Sequence, residues 1–222
     1  MTLFDTVRDC ARRRREIAPG AVHLPDWLAP AQQRQLVDAF QSWTRGPVPL
    51  NAPRLPGGRR MSVEIVCLGW HWRPYRYTRE AGDVNGARVL ELPGWLAGLG
   101  RDAVAAAYER APADYQPDTA LVNYYADGAH MGMHQDKDER ANHPVVSFSI
   151  GDRCRFRFGN TVNRGKPYTD VDLASGDAFV FGGPSRFAYH GVPKVHAGTA
   201  PDGCGLPSGR VNITLRVTGL SG

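Results

Sequence analysis

The sequence predicts an α+β protein, mainly β, in which two helices precede a sandwich or barrel of short strands. Three observations carry this. From Ala120 onward the chain breaks into eight short β-forming segments separated by turn residues, at 120–125, 131–136, 144–150, 154–158, 168–173, 178–182, 187–192 and 210–218, the pattern of a sandwich or barrel. Ahead of them lie two stretches with apolar residues at helical spacing. The last segment alternates strictly: Arg210, Asn212, Thr214 and Arg216 share one face, while Val211, Ile213, Leu215 and Val217 share the other.

Taken in chain order, Met1 to Arg15 carries charges throughout and has no apolar run, so it does not read as a signal peptide. Arg12 to Arg15 reads as a solvated helical surface or a frayed tail. Pro30 opens a helix to about Trp43, with Leu36, Val37, Phe40 and Trp43 at helical spacing. Residues 46–58, rich in Pro, Gly and Asn, form a loop, and 61–69 alternate loosely as a strand. Pro93 to about Arg110 forms a second helix, weakened in its middle by Gly98 and Gly100. Residues 193–209, rich in Gly and Pro, make a loop before the last strand.

Composition bounds the answer without deciding it. A chain of 222 residues is long enough for a real core and reads as one structural domain, divided into an N-terminal part at 1–112 and a β core at 113–222. Cys10, Cys67, Cys154 and Cys204 lie far apart without CxxC spacing, so they are expected as free thiols in a reducing cytoplasm rather than as a zinc site or disulfide frame. No apolar run approaches a membrane span. Residues 1–80 hold 13 Lys+Arg against 7 Asp+Glu, and residues 81–222 hold 14 against 15, so the basic excess sits in the first third of the chain. There it is interleaved with Trp70, Trp72, Tyr75 and Tyr77, which suits a phosphate backbone with stacked bases; this segment resembles a nucleotide-recognition lid, and the resemblance makes Arg73, Arg76 and Arg79 the cations expected to meet it.

The chemistry-bearing feature is His134-Gln135-Asp136, answered by His190. Two His and one carboxylate form a facial ligand set for Fe(II) that leaves other positions open. Residues i and i+2 of a strand point the same way, so His134 and Asp136 can grip one ion from one segment. The bare triplet is weak: 7 His and 16 Asp in 222 residues should produce it about 0.5 times by chance. The last strand adds weight, because Arg210 and Arg216 flank Asn212 on its polar face, a surface suited to a small dicarboxylate. Asn123 and Tyr125 share one face of the segment before the triplet. An iron triad beside an Arg-lined anion site is what an Fe(II)/2-oxoglutarate oxygenase needs, and such polar inward faces are costly unless they bind something.

These residues resemble the AlkB family. The resemblance lies in Asn123-Tyr124-Tyr125-Ala126-Asp127-Gly128 followed by His134-Gln135-Asp136-Lys137-Asp138-Glu139, in Gly182-Gly183-Pro184-Ser185-Arg186 running into Tyr189-His190-Gly191, and in Arg210-x-Asn212-x-x-x-Arg216. Upstream, Met61-Ser62-Val63, Leu68-Gly69-Trp70 and Tyr75-Arg76-Tyr77 resemble the nucleotide-recognition lid of the bacterial DNA-repair member. The match runs from about Pro56 to Thr218 and is weak before residue 50. It implies a double-stranded β-helix (jelly-roll) core with helices outside one sheet and a lid in the N-terminal part. It further implies Fe(II) on His134, Asp136 and His190, and O2 with 2-oxoglutarate as co-substrates. The far carboxylate of 2-oxoglutarate is expected on Arg210, Asn123 and Tyr125, with Arg216 toward the iron-bound end and Asn212 between. The implied reaction is demethylation of 1-methyladenine and 3-methylcytosine in alkylated DNA, releasing succinate, CO2 and formaldehyde, by a monomer with no membrane partner.

The implied substrate contacts carry alternatives. Trp70 stacks on a flipped base or lies in the core. Tyr75 and Tyr77 meet phosphate. Asp138 attracts the cationic base, or with Glu139 forms a solvated turn. Arg164 is a further contact from the loop after Phe158-Gly159. The chain departs from the bacterial repair member at Phe181, where that enzyme has Trp, and in a lid one residue shorter and stiffened by Pro74, which bears on substrate preference. RNA in place of DNA, a protein or small-molecule substrate, or a nucleic-acid binder without catalysis are the other classes.

Overall fold

The computed structural model describes residues 12–221. Cys10 and most of the charged N-terminal segment lie outside them. Its elements are β1 (Arg15–Ala18), β2 (Ala21–Leu24), α1 (Pro30–Trp43), β3 (Glu64–Leu68), β4 (His71–Arg73), β5 (Arg76–Thr78), α2 (Gly94–Tyr108), β6 (Thr119–Tyr125), β7 (Met131–His134), β8 (Val145–Gly151), β9 (Arg153–Phe158), β10 (Thr169–Leu173), β11 (Ala178–Phe181), β12 (His190–His196) and β13 (Arg210–Arg216). Seven strands form one sheet in the order β1-β2-β11-β8-β13-β6-β3. Four form a second, β10-β9-β12-β7, and β4-β5 stand apart as a hairpin. The pairings are antiparallel, the jelly-roll architecture the sequence led us to expect.

Period-2 alternation sorts the side chains of β13 into two cores. Val211, Ile213 and Leu215 pack with Leu36, Val37, Phe40 and Trp43 of α1 and with Leu96, Ala103, Val104 and Ala107 of α2. The helices therefore cover the outer face of the large sheet. Each buried aliphatic side chain there contributes about 1.5–3 kcal/mol. Gly100 lies mid-helix for a packing reason: a Cβ there would sit 2.7 Å from Leu215 Cδ1, so glycine lets α2 approach β13. α1 starts at Pro30, and the Gln32 side chain accepts the Ala29 N–H at 2.9 Å. α2 ends where Glu109 turns left-handed, φ 65°. Between the two sheets lies the second core, rich in Phe156, Phe158, Phe179 and Phe181, and the polar residues of β13 open toward it.

Four expectations need correction. Residues 15–24 form two strands about the Pro19-Gly20 turn and extend the large sheet, so the N-terminal part holds more than the two helices, the 61–69 strand and the lid expected of it. The arginine run is a fastener rather than a tail or helical surface: Arg12 donates to Asp177 at 2.8 Å, Arg14 Nη2 donates to the Ala107 carbonyl at 2.7 Å, and Arg15 opens β1. β12 continues to His196 through Pro193, because that proline falls where the β12–β9 register shifts and no ladder hydrogen bond is forfeited. β7 stops at His134, so Asp136 lies beyond the strand. Cys67, Cys154 and Cys204 are buried free thiols, as expected. Among the described residues no helix is long and apolar enough to cross a membrane.

Candidate metal centre and co-substrate site

His134 and His190 face each other directly across the β7–β12 pair, their rings 4.5 Å apart. Gly191 makes this close approach possible, since a Cβ there would lie 2.7 Å from the Met131 carbonyl oxygen. Each histidine Nδ1 lies 3.0 Å from a main-chain carbonyl, Gly132 for His134 and Ala188 for His190. An N–H donated there leaves each Nε2 lone pair free to bind a metal. Asp136 completes the group, with Oδ1 3.6 Å from His134 Nε2 and Oδ2 3.6 Å from His190 Nε2. Ligand atoms of the three residues all lie within 4.8 Å of one another.

The charge states suit a cation. Burial alone would raise the Asp136 carboxyl, but Arg216, His190, His134 and Arg186 hold it down at about 2. Burial pushes His190 down to about 4. A deprotonated carboxylate and a neutral imidazole are the forms that bind metal. Arg216 Nη2 donates to Asp136 Oδ1 at 2.8 Å, which leaves Asp136 Oδ2 buried with no partner.

The anion site lies beside it. Arg210 is 1 % exposed and donates from Nη2 to Ser149 Oγ at 2.9 Å, while its Nε and Nη1 are buried without partners. Tyr125 is opposite Arg210 across the β13–β6 pair, and its ring lies 5.1 Å from the guanidinium carbon. Burial pushes the Tyr125 hydroxyl up to about 12, so it is a donor. Asn123 is opposite Asn212, and Asn212 Nδ2 donates to Ser147 Oγ at 2.6 Å. Arg216 Nε is a third buried unpaired donor. Unpaired buried groups of this kind cost free energy until something pairs them. Three N–H donors and one carboxylate oxygen left open in one barrel interior match a dicarboxylate and a divalent metal, so these residues fit both groups.

The lid residues are placed less as expected. Trp70 is 7 % exposed, and the Arg79 guanidinium lies 3.8 Å over its ring. It is buried with one ring face covered by a cation, the core placement among the two expected, and Arg79 is spent internally. Tyr77 is also corrected. It is buried, and its hydroxyl donates to Glu139 Oε1 at 2.5 Å, so it cannot meet phosphate. Glu139 is not in a solvated turn: it is buried and bound by Tyr77, Arg186 and Arg216. Asp138 accepts from Trp72 Nε1 at 2.8 Å. Tyr75 is 72 % exposed at the hairpin tip, with left-handed φ 71°, beside Arg73, Arg76 and Arg54. Arg164 is exposed on the 159–168 loop, whose Thr161 carbonyl accepts from Gln135 next to His134.

Sequence reasoning missed Arg186, Ser147 and Ser149 as site residues. The serines were legible, lying two apart in an otherwise apolar strand. Arg186 donates to the Asp136 carbonyl from Nη1 at 2.5 Å and to Glu139 Oε2 at 2.9 Å, contacts that only the fold creates.

Comparisons with known proteins agree with this geometry. The 2OG-Fe(II) oxygenase superfamily matches residues 20–216. The alpha-ketoglutarate-dependent dioxygenase AlkB of Salmonella typhimurium is 36 % identical over 96 % of this chain and 97 % of its own length. The protein of the same name from Escherichia coli is 34 % identical over 98 % and 99 %. The DNA N(6)-methyladenine demethylase ALKBH1D of Arabidopsis thaliana is 30 % identical over 94 % of this chain, which spans about half (51 %) of that protein. The solved structure of OsALKBH1 superposes with TM-score 0.81 at 33 % identity, covering 91 % of this chain and all of that one. The similarity thus reaches well before residue 50, where the motifs fade. On the superfamily match and on the near full-length bacterial relatives, this chain belongs to the AlkB family of 2OG-Fe(II) oxygenases.

Proposed function

We propose that this protein is an Fe(II)- and 2-oxoglutarate-dependent dioxygenase that demethylates N-alkylated bases, 1-methyladenine and 3-methylcytosine, in DNA. The observation that carries it is the set of unpaired polar atoms in the barrel: Asp136 Oδ2 on one side, Arg210 Nε and Nη1 and Arg216 Nε on the other. His134, Asp136 and His190 would hold the iron. Arg210 would take the far carboxylate of 2-oxoglutarate, with Asn123 and Tyr125 beside it. Arg216 and Asn212 would serve the metal-side end. When bound, iron and 2-oxoglutarate supply, with O2, the oxidising power that hydroxylates the methyl group, leaving succinate and CO2. The hydroxymethyl group then departs as formaldehyde and the base is restored.

The surface supports a polynucleotide. The hairpin tip presents Tyr75 and Arg76 to solvent near Arg54 and Arg73, a basic edge with one aromatic. Asp138, bonded to Trp72, places a carboxylate two residues from Asp136, where a cationic methylated base gains from it. Arg164 adds a cation on the neighbouring loop. The name DNA N(6)-methyladenine demethylase borne by a relative points to nucleic acid as well. All these groups come from one chain, which supports action as a monomer, and buried free thiols suit the cytoplasm.

The test is anaerobic loading with Fe(II) and 2-oxoglutarate, followed by air and single-stranded DNA carrying 1-methyladenine, 3-methylcytosine or N6-methyladenine. Loss of one methyl per lesion with equal succinate is the expected mass-spectrometric result for the first two. Succinate without methyl loss from DNA would move the substrate to RNA or protein. Arg210→Ala removes two open donors from the co-substrate site, each charge-assisted bond being worth about 1.5–3 kcal/mol. The KM for 2-oxoglutarate should rise at least about tenfold; an unchanged KM would remove Arg210 from that role.

A further inference from the structure

The hairpin and the metal ligand are joined by one buried carboxylate. Trp72 and Tyr77 are directly opposite each other on β4 and β5, so their side chains leave the same face. They grip consecutive residues of the segment after the metal triplet: Trp72 donates to Asp138 and Tyr77 donates to Glu139. Glu139 Oε1 also accepts from Arg216 Nη1 at 2.9 Å, and Oε2 from Arg186 Nη2 at 2.9 Å. The same two arginines hold Asp136. Arg216 Nη2 binds its carboxylate and Arg186 Nη1 its main-chain carbonyl. Asp136 lies outside any strand, so these two guanidiniums fix it in place of a ladder, and both are aligned on Glu139.

We propose that Glu139 is a positioning residue that couples the β4–β5 hairpin to the metal centre through Arg216 and Arg186. The inference rests on the metal and co-substrate reading above. Tyr77, Glu139, Arg216 and Asp136 form an unbroken run of contacts between 2.5 and 3.1 Å. The four charged members balance, two carboxylates against two guanidiniums, and all are buried. A buried, mutually satisfied network has few alternative arrangements. Filling the Asp136 side therefore restricts Arg216, and Arg216 restricts Tyr77 through Glu139, which aligns the 3.1 Å bond that Arg216 Nη1 also donates directly to the Tyr77 hydroxyl. The coupling is reciprocal: a base engaging the hairpin steadies the ligand set, and a filled metal centre steadies the hairpin.

The test reads backbone amide exchange at 71–78 in the metal-free protein and after addition of Mn(II) and 2-oxoglutarate. In the native chain, addition is expected to slow exchange both at 131–136 and in the hairpin, the latter roughly tenfold. Tyr77→Phe keeps the packed ring and removes only the hydroxyl. It should abolish the slowing at 71–78 and keep that at 131–136. Glu139→Gln keeps shape and loses charge, and should do the same. Hairpin slowing undiminished in Glu139→Gln would overturn the role of Glu139 whatever Tyr77→Phe shows, as would native slowing confined to 131–136. No slowing in either region of the native chain would overturn the metal and co-substrate reading itself.

Discussion

Asp136→Ala is expected to lower iron affinity and succinate formation by more than about 100-fold, beyond the loss typical of removing an outer partner of a metal ligand. Two effects add. The substitution removes the one carboxylate oxygen left open in the centre, Oδ2, and it strips Arg216 Nη2 of its 2.8 Å partner. A buried guanidinium released in this way is free to occupy the space of the missing carboxylate, so added iron cannot rescue the variant. Nucleic acid binding should persist, because the exposed Tyr75 and Arg76 are untouched. Iron content and succinate yield near native values would refute the ligand assignment. Loss of activity with retained DNA binding separates the enzyme reading from a binder without catalysis.

Arg186→Ala should be the most destabilising single change. The side chain is 1 % exposed and makes bonds to Glu139 and to the carbonyls of Asp136 and His143. Breaking one member of a buried ion pair costs about 3–5 kcal/mol, since the remaining charge is left in low dielectric. In a chain of this size that is a fall in melting temperature of about 6–20 °C. Arg88→Ala is the internal control: its pair with Glu91 at 3.1 Å is exposed on both sides, and the melting temperature should barely move. Equal melting temperatures for the two variants would show that Glu139 is paired well enough by Arg216 and Tyr77 alone.

Much of the site was legible because its signals are local. Strict alternation from Arg210 to Val217 assigned which face of β13 enters the barrel, and the structure agrees residue by residue. His134 and Asp136 lie two apart, and His190 met them once strands paired. The β1–β2 hairpin was overlooked, although Pro19-Gly20 between Ile17-Ala18 and Ala21-Val22 marked it, because strands of four residues carry little periodicity. Trp70 and Trp72 could not be placed for a related reason. Beyond the left-handed turn at Gly69 the parity of β3 no longer predicts direction, so Trp70 turned inward under Arg79 while Trp72 reached Asp138.

The sequence by itself determined the mainly β class, the helices over one sheet, the metal triplet and the anion-binding face of the last strand. The face of the last strand follows from spacing along a few residues, which backbone geometry converts directly into direction, while the helices over one sheet and the ligand role of the triplet came with the AlkB resemblance. Only the tertiary structure decided what surrounds them. Tyr77, Glu139 and Arg186, which meet Arg216 in the fold, come from three separated segments, and each read alone suits a solvent-facing polar residue. Their roles are set by burial: once out of water, each charge must find a partner within hydrogen-bond reach, and only the folded chain says which partners are there.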